Sequence, residues 1–345
     1  MPAGTRAKAH YNMQSKNLLK TAIIIFVISS GSAIAEISTS DPFAFSNFSP
    51  LIKIHGLPSP RSANIMTKGG LRGTIQASLS NNFSESLGEQ QSILLDGETL
   101  NTELSIDYGL GNKAELTLVV PYSKHIGGNL DGFIENWHSF FDLPDGGRRH
   151  SPKNRLLYQV KNDGRESFAL GPNSTGAFGD ISIIFSKNLS DRKNQLWKVS
   201  AGVKLPSGKF SDLSGSEFTS FFSMAHYSNL SILRFPKWHF NQTLGVLKNN
   251  ADNLFETKVK SLVYFGSSQV GRKVRERLDL KFQLDYHTSF YSSDLKQLGK
   301  ASAQLVLGGT IKVSESFALD LSITEDIAAN TAPDVTFSLG LRRTF

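Results

Sequence analysis

The 345-residue chain has no cysteine. That absence excludes a disulfide framework, thiolate metal sites and cysteine nucleophiles, and it suits an oxidising compartment, where a stray thiol is a liability. Beyond the N-terminus there is also no apolar run of the about 20 residues that a membrane-spanning helix requires. Short catalytic signatures are missing as well. There is no H-E-x-x-H and no G-x-S-x-G elbow. The glycine pairs of GGNLDG and PDGG lack the strand–loop–helix setting and the Lys-Ser/Thr of a phosphate loop. A sustained excess of one charge is lacking too. The net charge is +7, but residues 1–35 hold Arg6, Lys8, Lys16 and Lys20 and no acid, so their removal lowers it to +3. With no basic stripe interleaved with aromatics, nucleic-acid binding is excluded as a reading.

Removal of those residues is expected. Asn17-Leu-Leu-Lys precedes TAIIIFVISSGSAIA, which supplies a positive flank, a short apolar core and the small-x-small site Ala33-Ile34-Ala35. The apolar stretch Ala22–Ser29 is too short to span a bilayer, so residues 1–35 read as a cleaved signal peptide, with Met13 a plausible start. Residues 36–69 then read as a periplasmic N-terminal segment and 70–345 as the main domain.

What is abundant is period-two alternation. The chain ends DVTFSLGLRRTF. Val335, Phe337, Leu339, Leu341 and Phe345 share one face, opposite Thr336, Ser338, Gly340, Arg342 and Thr344. Such a last strand, closing on the aromatic Phe345, is similar to the assembly signal of Gram-negative outer-membrane barrels. The same alternation recurs in 71–80, 100–108, 114–122, 181–185, 197–205, 278–287, 303–311 and 317–324, and more weakly in 217–227, 238–247 and 258–265. About twelve strands result, each near the ten residues of a tilted membrane strand. Tyr108, Tyr122, Trp197, Tyr286 and Phe345 sit near the ends of apolar faces, as interfacial girdles do. Short connections (109–113, 188–195, the stretch around Arg234–Pro236, 267–275 and 312–316) alternate with others at 83–97, 123–178, 206–216, 248–253, 291–299 and 328–333. The fold expected is all-β: a transmembrane antiparallel barrel of about twelve strands with one short helix in a long extracellular loop, inserted at 123–178. A soluble β-sandwich is the alternative.

Several longer stretches resemble an uncharacterised family of Gram-negative outer-membrane proteins, domain-of-unknown-function family 3187. They are SPLIKIHGLPSP (49–60), LLDGET (94–99), GGNLDGFIENWHSFFDLPDGGRRHSPKNR (127–155), Gly179-Asp180, VKLPSGKF with LSGSE (203–217), QLDYH (283–287) and EDIAANTAPDVTF (325–337). The resemblance implies a barrel and no established activity.

The chemistry that remains is that of a lumen. Glu103, Asp107, Glu115, Lys198, Lys204, Asp279, Lys281, Asp285, His287, Asp320 and Arg342 are expected on the inward face, with Lys312 beside them, where charges tune selectivity or pair and fill the interior. Asp285 and His287 share a strand face in the spacing of a base and its orienter, although a polar lumen lining explains them as well. Glu325-Asp326 is a weak calcium candidate, since calcium takes six or more oxygens. No cofactor or metal is expected.

The longest loop holds the one helical period. Leu130, Phe133, Ile134, Trp137, Phe140 and Phe141 recur at three and four residues. This helix fits a plug in the lumen, a lid over the mouth or a float on the outer leaflet. Its acidic polar face argues against the last, because membrane-surface helices are basic there. The basic stretch that follows offers Arg148, Arg149, Lys153 and Arg155 to lipopolysaccharide phosphates, to an anionic solute or to lumen carboxylates. Three functions are carried forward: a passive channel for small solutes gated or plugged by the 130–141 helix, a non-conducting structural or lipopolysaccharide-interacting barrel, and an enzyme at the rim or lumen. The expected partners are outer-membrane lipid and lipopolysaccharide, the barrel-assembly machinery and a small solute.

Overall fold

The computed structural model describes residues 36–132, 135, 136, 139, 151–190, 192–232, 235–328 and 331–345. The signal-peptide assignment at 1–35 lies outside them.

Alternating sequence becomes ladder. In chain order the strands are β1 (Leu71–Leu87), β2 (Gln91–Gly111), β3 (Ala114–Ile126), β4 (Leu157–Asn162), β5 (Arg165–Leu170), β6 (Ala177–Phe178), β7 (Ser182–Asn188), β8 (Gln195–Lys204), β9 (Ser220–Asn229), β10 (Trp238–Asn249), β11 (Asn253–Leu254), β12 (Thr257–Lys258), β13 (Leu262–Arg275), β14 (Leu278–His287), β15 (Ser302–Lys312), β16 (Phe317–Asp326) and β17 (Val335–Thr344). Twelve of them, all but β4, β5, β6, β11 and β12, pair antiparallel around a ring that closes where β1 meets β17, from Arg72↔Thr344 to Asn81↔Val335. Closure satisfies the ladder with no open edge, the condition for a sheet in lipid.

The two faces differ as a membrane barrel requires. Leu116, Leu118, Phe185, Val199, Leu244, Phe282, Leu307, Leu321 and Leu339 are exposed on the outside, while Thr117, Ser186, Ser200, Thr243, Gln283 and Thr336 are buried inside. A water-soluble sandwich would bury the first set, so the alternative fold fails here. Tyr108, Trp197 and Tyr286 are likewise exposed near strand ends.

Connections depart from the sequence reading in three places. The stretch 83–97 is no loop: β1 and β2 stay paired to Leu87↔Ser92, so this hairpin rises well past the rest of the wall. The stretch 267–275 is strand, the second half of β13, because Gln269 and Ser267 face a polar lumen and read as turn residues only out of context. The insertion at 123–178 contains its own hairpin, β4–β5, which extends the sheet from the projecting end of β2 (Gln91↔Asn162 to Asp96↔Leu157). By contrast 109–113 is a tight turn as expected. Asn112 and Lys113 both take positive φ (50° and 58°), the pair of left-handed residues that a two-residue hairpin needs.

The largest difference concerns 36–69. Expected as a periplasmic N-terminal segment, it makes its contacts with the inward face of the barrel. Its first arm ascends beside β14 at a constant offset: Thr39 meets Asp279, Asp41 meets Lys281, Phe43 meets Gln283, Asn47 meets His287 and Leu51 meets Tyr291, each pair 240 residues apart. Two extended chains have the same rise per residue, so they stay in step. The short helix α1 (Pro50–Lys53) makes the turn at the far end. The second arm descends, and Gly69 N–H reaches the Gly109 carbonyl at the near rim (2.8 Å) before β1 begins. Pro42, Pro50, Pro58 and Pro60 explain why this lumen hairpin is not a strand pair, since each removes a ladder donor. Its polar contacts come instead from the wall.

Candidate functional site: the occupied lumen

The lumen is layered. In the half nearest the chain ends, charge dominates. Arg72 Nε donates to Asp107 (2.9 Å) and Arg61 Nη1 to the same carboxylate (2.8 Å). Arg342 holds Asp320 through Nε and Nη2 (2.7 and 3.1 Å). Asp41 joins the two groups, 2.8 Å from Arg342 Nη1 and 3.5 Å from Arg72 Nη1. Lys281 Nζ donates to Thr310 (2.6 Å) and to the Asp41 carbonyl (2.5 Å), and lies 4.0 Å from Asp320. His239 Nε2 lies 2.9 Å from both oxygens of Asp279. Glu115 accepts the Met66 N–H (2.8 Å), and buried Lys198 sits among the charges of Glu115, Arg61, Arg72 and Asp107. The lumen hairpin thus supplies Asp41 and Arg61 to a wall of opposite charges.

The next layer is mostly polar with few ionisable groups, and the ascending arm adds a small apolar cluster of Phe43, Phe45 and Phe48 with Val306. His226 bridges Ser200 and Thr243 (3.1 and 3.0 Å), and Ser228 donates to Asn241 (2.6 Å). Lower down, between Arg61 and Met66, Ala63 of the descending arm is clasped, its N–H on Ser228 (2.9 Å) and its carbonyl on Asn188 (3.0 Å). Asn47 donates to His287 Nε2 (2.9 Å) and to the Thr331 carbonyl (2.8 Å), while the other His287 nitrogen donates to the Thr288 carbonyl (2.9 Å). Asp285 takes Gln283 (2.9 Å). No bond joins Asp285 to His287 among the described residues, so the base-and-orienter arrangement is not assembled.

The far end is an apolar cap. Leu51, Ile52 and Ile54 of the hairpin pack with Ile93 and Leu95 of β2, Tyr158 and Val160 of β4, and Phe168 and Leu170 of β5. The 210–213, 251–259 and 290–298 connections add Leu213, Leu254, Phe255, Phe290, Tyr291, Leu295 and Leu298. His55 stacks on Phe290 (4.5 Å between centroids). Its Nε2 donates to the Tyr291 hydroxyl (2.9 Å), which donates to the Leu51 carbonyl (2.9 Å). Burial among these groups pushes the His55 imidazole down to about 3, helped by the nearby Lys204 charge.

The sequence stretches that carry the resemblance meet around this closure. Asp180 of the Gly-Asp pair receives Lys204 of VKLPSGKF, and it also takes the Gly208 and Ser216 N–H groups (2.8 and 3.0 Å), pinning the 206–216 connection inward. Gly56 lies against the Lys204 stem at φ +66°, where a Cβ would overlap it. In LLDGET, Glu98 accepts the Asn129 and Leu130 N–H groups (2.7 and 2.5 Å), a carboxylate at the start of the loop helix. Asp96 holds Arg155 (2.7 Å). Asp131 accepts from Asn154 N–H (2.7 Å) and Asn81 (3.3 Å). Asp326 spends its carboxylate on the Ala328, Thr331 and Ala332 N–H groups (3.0, 2.8 and 3.0 Å), which makes it a loop staple rather than a calcium ligand.

The remaining candidates are placed as follows. Glu103 is 3.8 Å from Lys53 of α1. Lys312 is at the rim with Glu36 and Glu315 (2.7 and 2.6 Å), outside the charged layer. Lys153 pairs with Glu135 of the loop helix (2.8 Å). Asp131, Gly132, Glu135, Asn136 and Ser139 are helical, whereas Phe133, Ile134, Trp137, Phe140, Phe141, Arg148 and Arg149 lie outside the described residues. The sequence reading missed Asp41, Arg61, Asn47, His55 and Tyr291. The available signal was SPLIKIHGLPSP itself, an apolar stretch between prolines that needs a place to bury.

Among the described residues, little space is left between the hairpin and the charged and polar wall. One cavity of about 50 Å3 lies between Asp41, Arg61, Arg72, Asp107, Asp320 and Arg342. Another of about 20 Å3 lies between Asn47, Pro58 and the β13–β14 wall. These hold a few waters, not a solute.

Comparison with known proteins agrees with this architecture. The model of the family described as protein of unknown function (DUF3187) matches residues 18–345, and the chain belongs to that family. No curated protein matches the sequence. Among solved structures, the COG4313 outer membrane channel from Pseudomonas putida F1 is similar at TM-score 0.54 and 12% identity, over 84% of this chain and 100% of that one. The NanC porin aligns at TM-score 0.45 and 6% identity, over 79% and 98%. The CymD monoaromatic hydrocarbon channel aligns at 0.40 and 9%, over 90% and 95%. The fold is that of a Gram-negative outer-membrane β-barrel.

Proposed function

We propose that this DUF3187 barrel is a gated channel for small solutes, with the lumen hairpin 36–69 as its plug. The observation that carries the reading is the nature of the contact between plug and wall. Apart from the apolar cap at Leu51–Ile54 and a small cluster of Phe43, Phe45 and Phe48 with Val306, the hairpin is held by ion pairs and hydrogen bonds to wall side chains, not by ladder pairing. Water and ions can take over such contacts when the hairpin withdraws, and the wall remains closed because its own ladder is complete. A pure structural strut would be better served by apolar packing, since buried ion pairs seldom stabilise more than hydrophobic replacements.

The 130–141 loop helix belongs to the same closure in this reading. Its first turn is fixed to Glu98 and, through Asp131, to Asn81 at the mouth. The gate is thus double: the hairpin from below, the loops and helix from above.

The test is planar-bilayer conductance of the wild type and of Asp41→Asn with Arg61→Gln. The account expects rare, small steps in the wild type and frequent, larger ones in the double variant. A silent, correctly assembled double variant favours the non-conducting barrel, for which the packed cap is the supporting observation.

A further inference from the structure

The seat of Asp41 has the make-up of an anion site. Residue 41 meets three cationic groups of the wall: Arg342 Nη1 and Arg72 Nη1 at its carboxylate (2.8 and 3.5 Å), and Lys281 Nζ at its carbonyl (2.5 Å). Arg72 and Arg342 each already hold a wall carboxylate, Asp107 and Asp320, through other nitrogens. Their Nη1 groups are therefore the ones left over for something else, and the hairpin supplies it. Arg342 Nη1 also donates to the Ser38 carbonyl (2.9 Å) of the same arm. When the hairpin leaves, the two Nη1 groups and one Lys281 donor lose their acceptors together, while Asp107, Asp320 and Thr310 stay on the wall, and a buried donor left without an acceptor is costly.

A second observation points the same way. Asp41 is 7% exposed, yet its Oδ1 has no hydrogen-bond partner among the described residues, and the residue borders the 50 Å3 cavity that Arg61, Arg72 and Arg342 also line. The carboxylate is seated by one oxygen only. The fit is adequate for a tethered side chain and leaves room for a free carboxylate to orient both oxygens onto the two guanidinium groups, the geometry arginine favours.

We propose that Asp41 is a built-in stand-in for the carboxylate of a solute, and that small carboxylates bind between Arg72, Arg342 and Lys281 in its place, so that the solute displaces the hairpin it competes with. This rests on the gated-channel reading and names its substrate class. It also gives the linkage needed for gating: a ligand shifts an equilibrium only if it binds one state better, and this site exists only in the withdrawn state.

The absence of cysteine makes the test clean. Ser46→Cys places one thiol on the ascending arm, at a position 4% exposed, and its modification rate by a charged methanethiosulfonate reports hairpin withdrawal without needing conduction. In Ser46→Cys protein, acetate and benzoate are expected to raise the rate several-fold over equal chloride, with saturation. Adding Asp41→Asn is expected to raise the basal rate by about tenfold or more, since the amide oxygen still accepts but the charge that pairs with Arg342 and Arg72 is gone. A rate indifferent to carboxylate, or raised equally by chloride, while Asp41→Asn still exposes the thiol, overturns the carboxylate site and leaves the gate standing. If Asp41→Asn neither exposes the thiol nor changes conductance, the gate itself fails. As a further arm, Arg342→Lys keeps the charge but not the fork, and is expected to weaken the carboxylate effect with a smaller loss for chloride; an undiminished effect contradicts the site.

Discussion

The two ends of the lumen are closed by different physics. At the far end Leu51, Ile52 and Ile54 enter an apolar cap built from several connections. In the half near the chain ends, Asp41 and Arg61 enter a network with Arg72, Asp107, Asp320 and Arg342. Apolar closure is non-directional, insensitive to salt and worth roughly 1.5–3 kcal/mol for each fully buried aliphatic side chain. Ionic closure is directional and close to balanced between Coulomb gain and desolvation, yet strongly unfavourable to break halfway. One end sets how firmly the hairpin is held, and the other sets where it sits and what can compete with it.

That contrast yields graded expectations. The largest belongs to Lys204→Met. It leaves Asp180 buried without its ammonium partner, at a cost of about 3–5 kcal/mol, and frees the 206–216 connection. Protease cleavage within 206–216 in intact, heat-modifiable barrels is the readout; resistance equal to wild type would show the staple is dispensable. Next, Leu51→Ala with Ile54→Ala costs about 2–5 kcal/mol for each side chain and weakens the apolar end alone. Hairpin exposure, read by thiol modification at Ser46→Cys, is expected to rise without any change in its salt dependence. A rise that vanishes at low salt would mean the two ends are not separable.

A smaller effect comes from pH. His55 is neutral in the closed state because burial holds it near 3, whereas exposed it titrates at about 6.5. The exposed state therefore binds more protons between these values, so closed-state stability is intact above about pH 6.5 and falls as pH drops toward 3. The charges facing it are Lys204 and, when protonated, His287, both of which oppose its protonation. Acidification from pH 7 to pH 5 is expected to increase thiol exposure at Ser46→Cys, and His55→Gln to flatten that part of the profile. An identical profile in the variant would assign the pH response elsewhere. The smallest effect is at the rim: Glu36→Gln breaks an ion pair with Lys312 that solvent screens and Glu315 replaces, and no change in conductance or exposure is expected.

The barrel was legible because lipid imposes one rule on every strand. Outward Leu280 and Phe282 alternate with inward Lys281 and Gln283, and the period declares the fold. The inward charges were legible for the same reason. What they meet was not. The partner of Gln283 is Phe43, and the partner of His287 is Asn47, 240 residues away in a segment without periodicity. The projecting hairpin looks like a loop in the sequence because Glu85, Gly88 and Gln90 break the alternation once the strands leave the membrane, where no face is forced to be apolar. The loop helix announces itself by its period alone, but its acidic residues gain meaning from Asn154, which meets Asp131, and Lys153, which meets Glu135, partners that no spacing connects.

The central claim is that the hairpin, not the wall, closes the channel. Its most direct test is single-channel conductance of a chain lacking residues 36–66, compared with the intact protein, after heat-modifiability has confirmed that both barrels are assembled. The account predicts stable open steps in the shortened protein, several times the wild-type conductance. An assembled barrel without the hairpin that conducts no better than the intact protein would contradict it.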